Sequence, residues 1–144
     1  MEQLEIKKLD ERATIPTYGT IDSAGADLYA VLDEELSIEP RETRIIPTGL
    51  SMAIPKGYVG LIYARSSLGT KKGLAPANKV GVIDADYRGE IKVVLFNQSN
   101  ETQIISPNER IAQIIITPYL KVNFKEIQEL SETERGNGGF GSTN

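Results

Sequence analysis

The segment Gly81–Glu90, GVIDADYRGE, sets two aspartates, a tyrosine and an arginine in a turn-forming stretch between two apolar runs of β type. Histidine and cysteine are both absent from the chain. Proton transfer at neutral pH must therefore rest on a carboxylate. Asp84 or Asp86 is suited to it, since an aspartate with an ordinary pKa of ~3.9 is ionised at pH 7 and can take a proton from water. The same absences remove a thiolate nucleophile, a cysteine-ligated zinc and the commonest imidazole ligand, leaving hard oxygen donors that suit Mg²⁺ or Ca²⁺.

Four further stretches carry chemically useful side chains. In AGADLYA, Ala24 to Ala30, Asp27 closely follows a glycine that lets the backbone approach another group; taken alone, the stretch reads as a turn leading into a strand. In ARSSLGTKKG, Ala64 to Gly73, Ser66 or Ser67 can cap a short helix whose free N–H groups, with the two hydroxyls and Arg65, form an anion site suited to phosphate. An ordinary helix cap beside a surface arginine fits that stretch equally well. In NERIAQIII, Asn108 to Ile116, Arg110 and Gln113 interrupt an apolar run and need partners if buried. A structural ion pair suits Arg110, and the role of Gln113 stays open. The final RGNGGFGSTN has the composition of a disordered end, yet Arg135, Phe140, Ser142 and Thr143 supply a cation, a stacking ring and two hydroxyls on a backbone able to fold around phosphates.

The elements that must position these residues are mostly strands. Leu36 and Ile38 alternate with polar neighbours, Thr43–Ile46, Leu50–Ile54, Tyr58–Tyr63, Ile91–Phe96 and Arg110–Thr117 are short β-branched or aromatic runs, and the seven prolines and most of the thirteen glycines punctuate them. That is the pattern of an all-β sandwich or barrel. The runs flanking IDADYRG predict a β-hairpin whose inner N–H and C=O groups can read a planar base edge. Helix is confined to a short stretch opened by Ser66 and Ser67, with a second candidate turn at Lys125–Leu130. One domain suits 144 residues, a length that buries a core without disulfides or a structural metal.

Charge narrows the ligand. The net charge of −4 argues against a surface that coats a nucleic-acid polymer. Between Ala64 and Lys92, however, six basic residues (Arg65, Lys71, Lys72, Lys79, Arg88, Lys92) face three acidic ones (Asp84, Asp86, Glu90), a local excess that fits a small anionic ligand. No run approaches the ~18 apolar residues of a membrane span, and the N-terminus lacks a signal-type apolar segment. A soluble cytoplasmic protein without membrane partners is the expectation.

In this order, the five stretches resemble the five motifs of the trimeric deoxyuridine triphosphatases (dUTP diphosphatases), over Ala24 to Thr143. The resemblance implies an antiparallel jelly-roll homotrimer: a β domain over residues 1–134 and a Gly-rich tail, 135–144, closing sites shared between subunits. It implies that Asp84 activates the water attacking the α-phosphorus of dUTP. Asp27 and Gln113 organise the Mg²⁺-bound triphosphate, Asp27 through metal-bound water. Arg65, Ser66 and Ser67 bind phosphate, while Asn78 and the backbone of Gly81, Val82 and Ile83 read uracil. Tyr87 packs under deoxyribose, and Arg135, Phe140, Gly141, Ser142 and Thr143 stack on uracil and clamp the γ-phosphate. Such an enzyme keeps uracil out of DNA and supplies dUMP for dTMP synthesis. Motif four commonly opens with Gly-Asp, where this chain has Asn108 and Glu109. Two other outcomes stay open. The dCTP deaminases share the fold and the Arg-Ser-Ser segment, but their glutamate base would align with Val94; a jelly-roll module could also bind nucleotide without turnover.

Overall fold

The computed structural model describes residues 3–142. Among them run twelve strands in chain order: β1 (Glu5–Lys8), β2 (Thr17–Tyr18), β3 (Ala26–Tyr29), β4 (Leu36–Ile38), β5 (Thr43–Pro47), β6 (Leu50–Ala53), β7 (Tyr58–Tyr63), β8 (Leu74–Pro76), β9 (Gly81–Ile83), β10 (Lys92–Asn97), β11 (Gln103–Ile105) and β12 (Arg110–Pro118). They form antiparallel sheets in the orders β1-β6, β5-β10-β8, β11-β4 and β2-β3-β12-β7-β9. This is the expected all-β jelly-roll architecture. Ile, Leu and Val from every sheet meet in one core, with Leu28, Ile38, Ile46, Leu50, Leu74, Ile91, Leu95 and Ile105 fully buried. Asn97 is buried among them without loss because its amide donates to the carbonyls of Ile38 and Glu101 and accepts from Ser99.

The five-stranded sheet positions the site. Its register aligns Thr17, Asp27, Gln113 and Tyr63 in one cross-strand row. Successive side chains alternate between faces. Ala26, Leu28, Ile62 and Ile114 point into the core, so Asp27, Gln113 and Tyr63 stand on the outer face. Arg110 and Gln113, three positions apart, would point to opposite faces of a regular strand. A bulge between Arg110 and Ala112 adds one residue, and both Ile111 and Ala112 are buried there. The extra residue turns Arg110 onto the face of Gln113.

Three expectations require correction. Gly81–Ile83 and Ile91–Phe96 do not make a hairpin: β9 pairs with β7, while β10 pairs with β5 and β8. Strand β9 is thus the edge of its sheet, and its second row of backbone groups is free of a strand partner. The helical stretch does open at Ser66 and Ser67 and continues as a π-type turn over Leu68–Lys72, but the cap expected there is missing, since Ser67 makes no side-chain cap bond. No helix forms at Lys125–Leu130; from Tyr119 onward the described residues lack regular structure and most are exposed. Among the described residues no helix is long and apolar enough to cross a membrane.

Candidate functional site

The outer-face row gathers a guanidinium–carboxylate cluster. Asp27, 8% exposed, accepts from Arg65 Nε at 2.8 Å through Oδ1 and from Arg110 Nη1 at 3.3 Å through Oδ2. The salt bridge expected for Arg110 is therefore present, with Asp27 as its partner. Arg65 also donates to Ser67 Oγ at 3.2 Å, so the serine orients the arginine instead of capping the helix. Ser66 stays exposed beside it. Gln113 donates through Nε2 to the carbonyl of Ala64 at 2.9 Å, tying β12 to the loop that carries Arg65. That placement requires Gly25: a Cβ there would lie 2.2 Å from Gln113 Oε1 and 3.2 Å from its Cβ.

Arg65, Ser67, Lys71, Lys72 and Arg110 line a cleft of about 210 Å³. Its basic walls are held by structure, since Lys72 pairs with Glu109 at 2.9 Å and Glu109 also accepts the Ser106 N–H at 2.8 Å. Asn108 keeps the turn that glycine would make: its φ is 61°, a left-handed conformation asparagine tolerates better than most residues, and its side chain accepts from Thr14 at 2.8 Å.

A second, separate hollow lies at the open edge of β9. Asn78, Gly81, Val82 and Ile83 line a slot of about 90 Å³ with Pro76, Ile62 and Lys92–Val94. Val82, Ile83 and Lys92 continue into a neighbouring hollow of about 170 Å³ that adds Asp84, Tyr87 and Glu90. Asp84 thus sits beside Tyr87 and the strand edge; Asp86, at the exposed turn, lines neither hollow. The loop is braced on several sides. The Tyr87 N–H donates to the Asp84 carbonyl at 3.1 Å, and Ser51 Oγ donates to the Arg88 carbonyl at 2.6 Å. Glu90 accepts the Gly49 N–H at 3.2 Å. The sequence motifs mark Glu90 only as a charge and Glu109 only as a departure at motif four, and they leave out Ser51. A serine inside the apolar run LSMA was the available signal, because a buried hydroxyl there must find a partner.

The two hollows do not meet within one chain. Continuing the register past the Gly60–Ile83 pair sets Asp84 opposite Val59, four residues along β7 from the Tyr63 row and three strands from Asp27. With ~3.3 Å per residue and ~4.8 Å between strands, the Asp84 and Asp27 backbones are about 20 Å apart. The described part of the tail does not close the gap. Arg135 Nε donates to the Gly138 carbonyl at 2.8 Å and the Gly139 N–H to Ser142 Oγ at 2.6 Å, two tight turns that leave Phe140 fully exposed and Gly141 in a left-handed conformation. Thr143 lies outside the described residues.

An antiparallel β jelly roll carrying a small slot on an open strand edge and a separate guanidinium-lined cleft defines a class, that of small all-β jelly-roll proteins. The comparisons give the particular family. The dUTPase family profile matches residues 11–144. The chain is 50% identical, over 98% of its own length and 98% of the relative's, to a deoxyuridine 5'-triphosphate nucleotidohydrolase of Nautilia profundicola. It is 46% identical to one of Neisseria meningitidis, over 98% and 96% of the two chains. Its structure matches a Staphylococcus bacteriophage 80alpha dUTPase, in a mutant form with dUpNHpp, with a TM-score of 0.86 at 29% identity over 99% and 98% of the chains. A phage phi11 dUTPase mutant described with a structural Mg(II) ion matches with a TM-score of 0.81 at 25% identity, over 91% and 100%. The chain belongs to the dUTPase family.

Proposed function

We propose that the protein hydrolyses dUTP to dUMP and pyrophosphate in a homotrimer whose sites join the β9 edge of one copy to the guanidinium cluster of another. The observation that carries the reading is that Asp84, Tyr87 and the open β9 edge border joined hollows. Uracil presents acceptor, donor and acceptor along one edge, matching the N–H and C=O groups that Gly81–Ile83 leave without a strand partner. Asn78 lines the same slot. Tyr87 walls the sugar, and Asp84 accepts the proton of the water that attacks the α-phosphorus as the pyrophosphate oxygen leaves. Arg65, Ser66, Ser67 and Gln113 of the other copy spread the phosphate charge. The tail's Arg135, Phe140, Gly141, Ser142 and Thr143 cover uracil and the γ-phosphate.

Exposed surface supports the assembly. The chain exposes 10314 Å², against about 7,300 Å² for a monomer of its mass. Val82 on the outer face and Phe124 beyond β12 are both largely exposed.

Magnesium fits this donor set as an ion carried on the triphosphate. No group of three or more metal-binding side chains occurs among the described residues, and both Asp27 oxygens face guanidinium groups, so Asp27 and Gln113 would hold the ion through water. When bound, it neutralises the phosphates and the departing pyrophosphate. The dUMP produced feeds dTMP synthesis while uracil is kept out of DNA.

Val94, which walls the slot, has no proton to move, and this disfavours deamination. The test is pyrophosphate release from dUTP with Mg²⁺, run beside dCTP, dTTP and UTP with ammonia monitored. Pyrophosphate from dUTP alone supports the proposal; ammonia from dCTP, or no product from any substrate, overturns it.

A further inference from the structure

We propose that Gly89 is a specificity-determining residue, which sets how sharply the site separates deoxyribose from ribose by leaving the space in which the Tyr87 ring lies. The inference rests on the reading of Tyr87 as the sugar-facing ring. Gly89 is not among the glycines with a left-handed φ, so backbone conformation does not demand glycine there. Space does. A Cβ on residue 89 would stand 2.4 Å from Tyr87 Oη, 2.6 Å from Cζ and 3.0 Å from Cε2, where non-bonded contacts settle near 3.5–4.0 Å. All three atoms belong to the tip of the ring.

The ring, and not the loop, must therefore give way. The loop is pinned by Ser51 on the Arg88 carbonyl, by the Gly49 N–H on Glu90 and by the Tyr87 N–H on Asp84. The ring itself is held by one bond, from Tyr87 Oη to the Glu90 carbonyl at 2.9 Å. Moving the tip by the ~1 Å that a methyl group requires breaks that bond and releases the ring from its seat. Tyr87 is 43% exposed and its free side lines the hollow shared with Asp84. Ribose differs from deoxyribose by one hydroxyl, so a wall that excludes it loses its effect when displaced by the size of one atom.

The experiment measures kcat/KM for dUTP and UTP in the full-length wild type, Gly89→Ala, Tyr87→Ala and the double variant, with thermal melts of each. Gly89→Ala is expected to melt with the wild type and to lower the dUTP:UTP ratio by about tenfold or more. Added to Tyr87→Ala, it should change the ratio less than about twofold, because no ring remains to be placed. A wild-type ratio in Gly89→Ala overturns the inference, as does an equal further loss in the Tyr87→Ala background. Undiminished discrimination in Tyr87→Ala instead overturns the reading of Tyr87 itself. Should Gly89→Ala fail to fold, Tyr87→Phe leaves the backbone untouched and removes the anchor to Glu90; a lowered ratio supports the anchored placement and an unchanged ratio overturns it.

Discussion

Replacing Asp27 tests whether the guanidinium cluster is held by its carboxylate. The charge-assisted bond to Arg65 is short, 2.8 Å, between side chains that are 20% and 12% exposed, and bonds of this kind contribute about 1.5–3 kcal/mol. The second, to Arg110, is 3.3 Å long with the arginine half exposed, which solvent screening reduces to about 0.5 kcal/mol. Asp27→Ala therefore costs about 2–3 kcal/mol and leaves two cations facing each other. For 144 residues the unfolding entropy is about 0.3 kcal/mol/K, so the melting midpoint falls by about 8 °C. Asp27→Asn keeps an acceptor and should lose about half as much. Circular dichroism melts at one protein concentration measure this, since assembly makes the midpoint concentration-dependent. A cycle with Arg65→Met should return a coupling of about 1.5–2 kcal/mol. A midpoint for Asp27→Ala within about 2 °C of wild type, or zero coupling to Arg65, would mean that the carboxylate does not hold the cluster.

Asp84→Asn should lower turnover by about 10³-fold or more while keeping the affinity for dUpNHpp, measured by calorimetry; wild-type turnover would remove Asp84 from the chemistry. Truncation before Arg135 should leave the melting midpoint within about 2 °C and depress kcat/KM sharply, because the described tail residues bond only to one another and to Thr133 just before them; a truncated chain that fails to fold contradicts this. Asp10 is held at about 2, below its ordinary 3.8, chiefly by the side-chain hydrogen bond from Arg12, with the Arg12 backbone N–H adding to it. A lowered folded pKa contributes stability that is present above the unfolded value and lost as pH falls from about 3.8 to about 2. Asp10→Asn should flatten the midpoint's pH dependence in that window, and an unchanged slope would count against the pair.

Strands with long β-branched or aromatic runs were legible in the chain. Tyr58–Tyr63 has those bounds in the structure, and Arg110–Thr117 falls one residue short of the end of β12. Strands such as Thr17–Tyr18 and Gln103–Ile105 are too short to carry a period and exist because a distant partner pairs with them. The hairpin expectation failed for the same reason: sequence proximity suggested β9 with β10, but the partner of β9 is β7. Side-chain types at the site were readable, and their partners were not. Asp27 lies 38 residues from Arg65 and 83 from Arg110, and only the register of β3 on β12 and the bulge after Arg110 bring the three together.

Asp84 of one copy is proposed to work with Arg65 of another, and subunit mixing tests this pairing directly. Asp84→Asn and Arg65→Ala chains, each inactive alone, are unfolded together in equal amounts, refolded and assayed for pyrophosphate from dUTP. With the site shared around a three-fold ring, every mixed trimer regains one intact site, so about one quarter of wild-type activity returns. If each site lay within a single chain, mixing would restore nothing, and the shared-site account would be wrong.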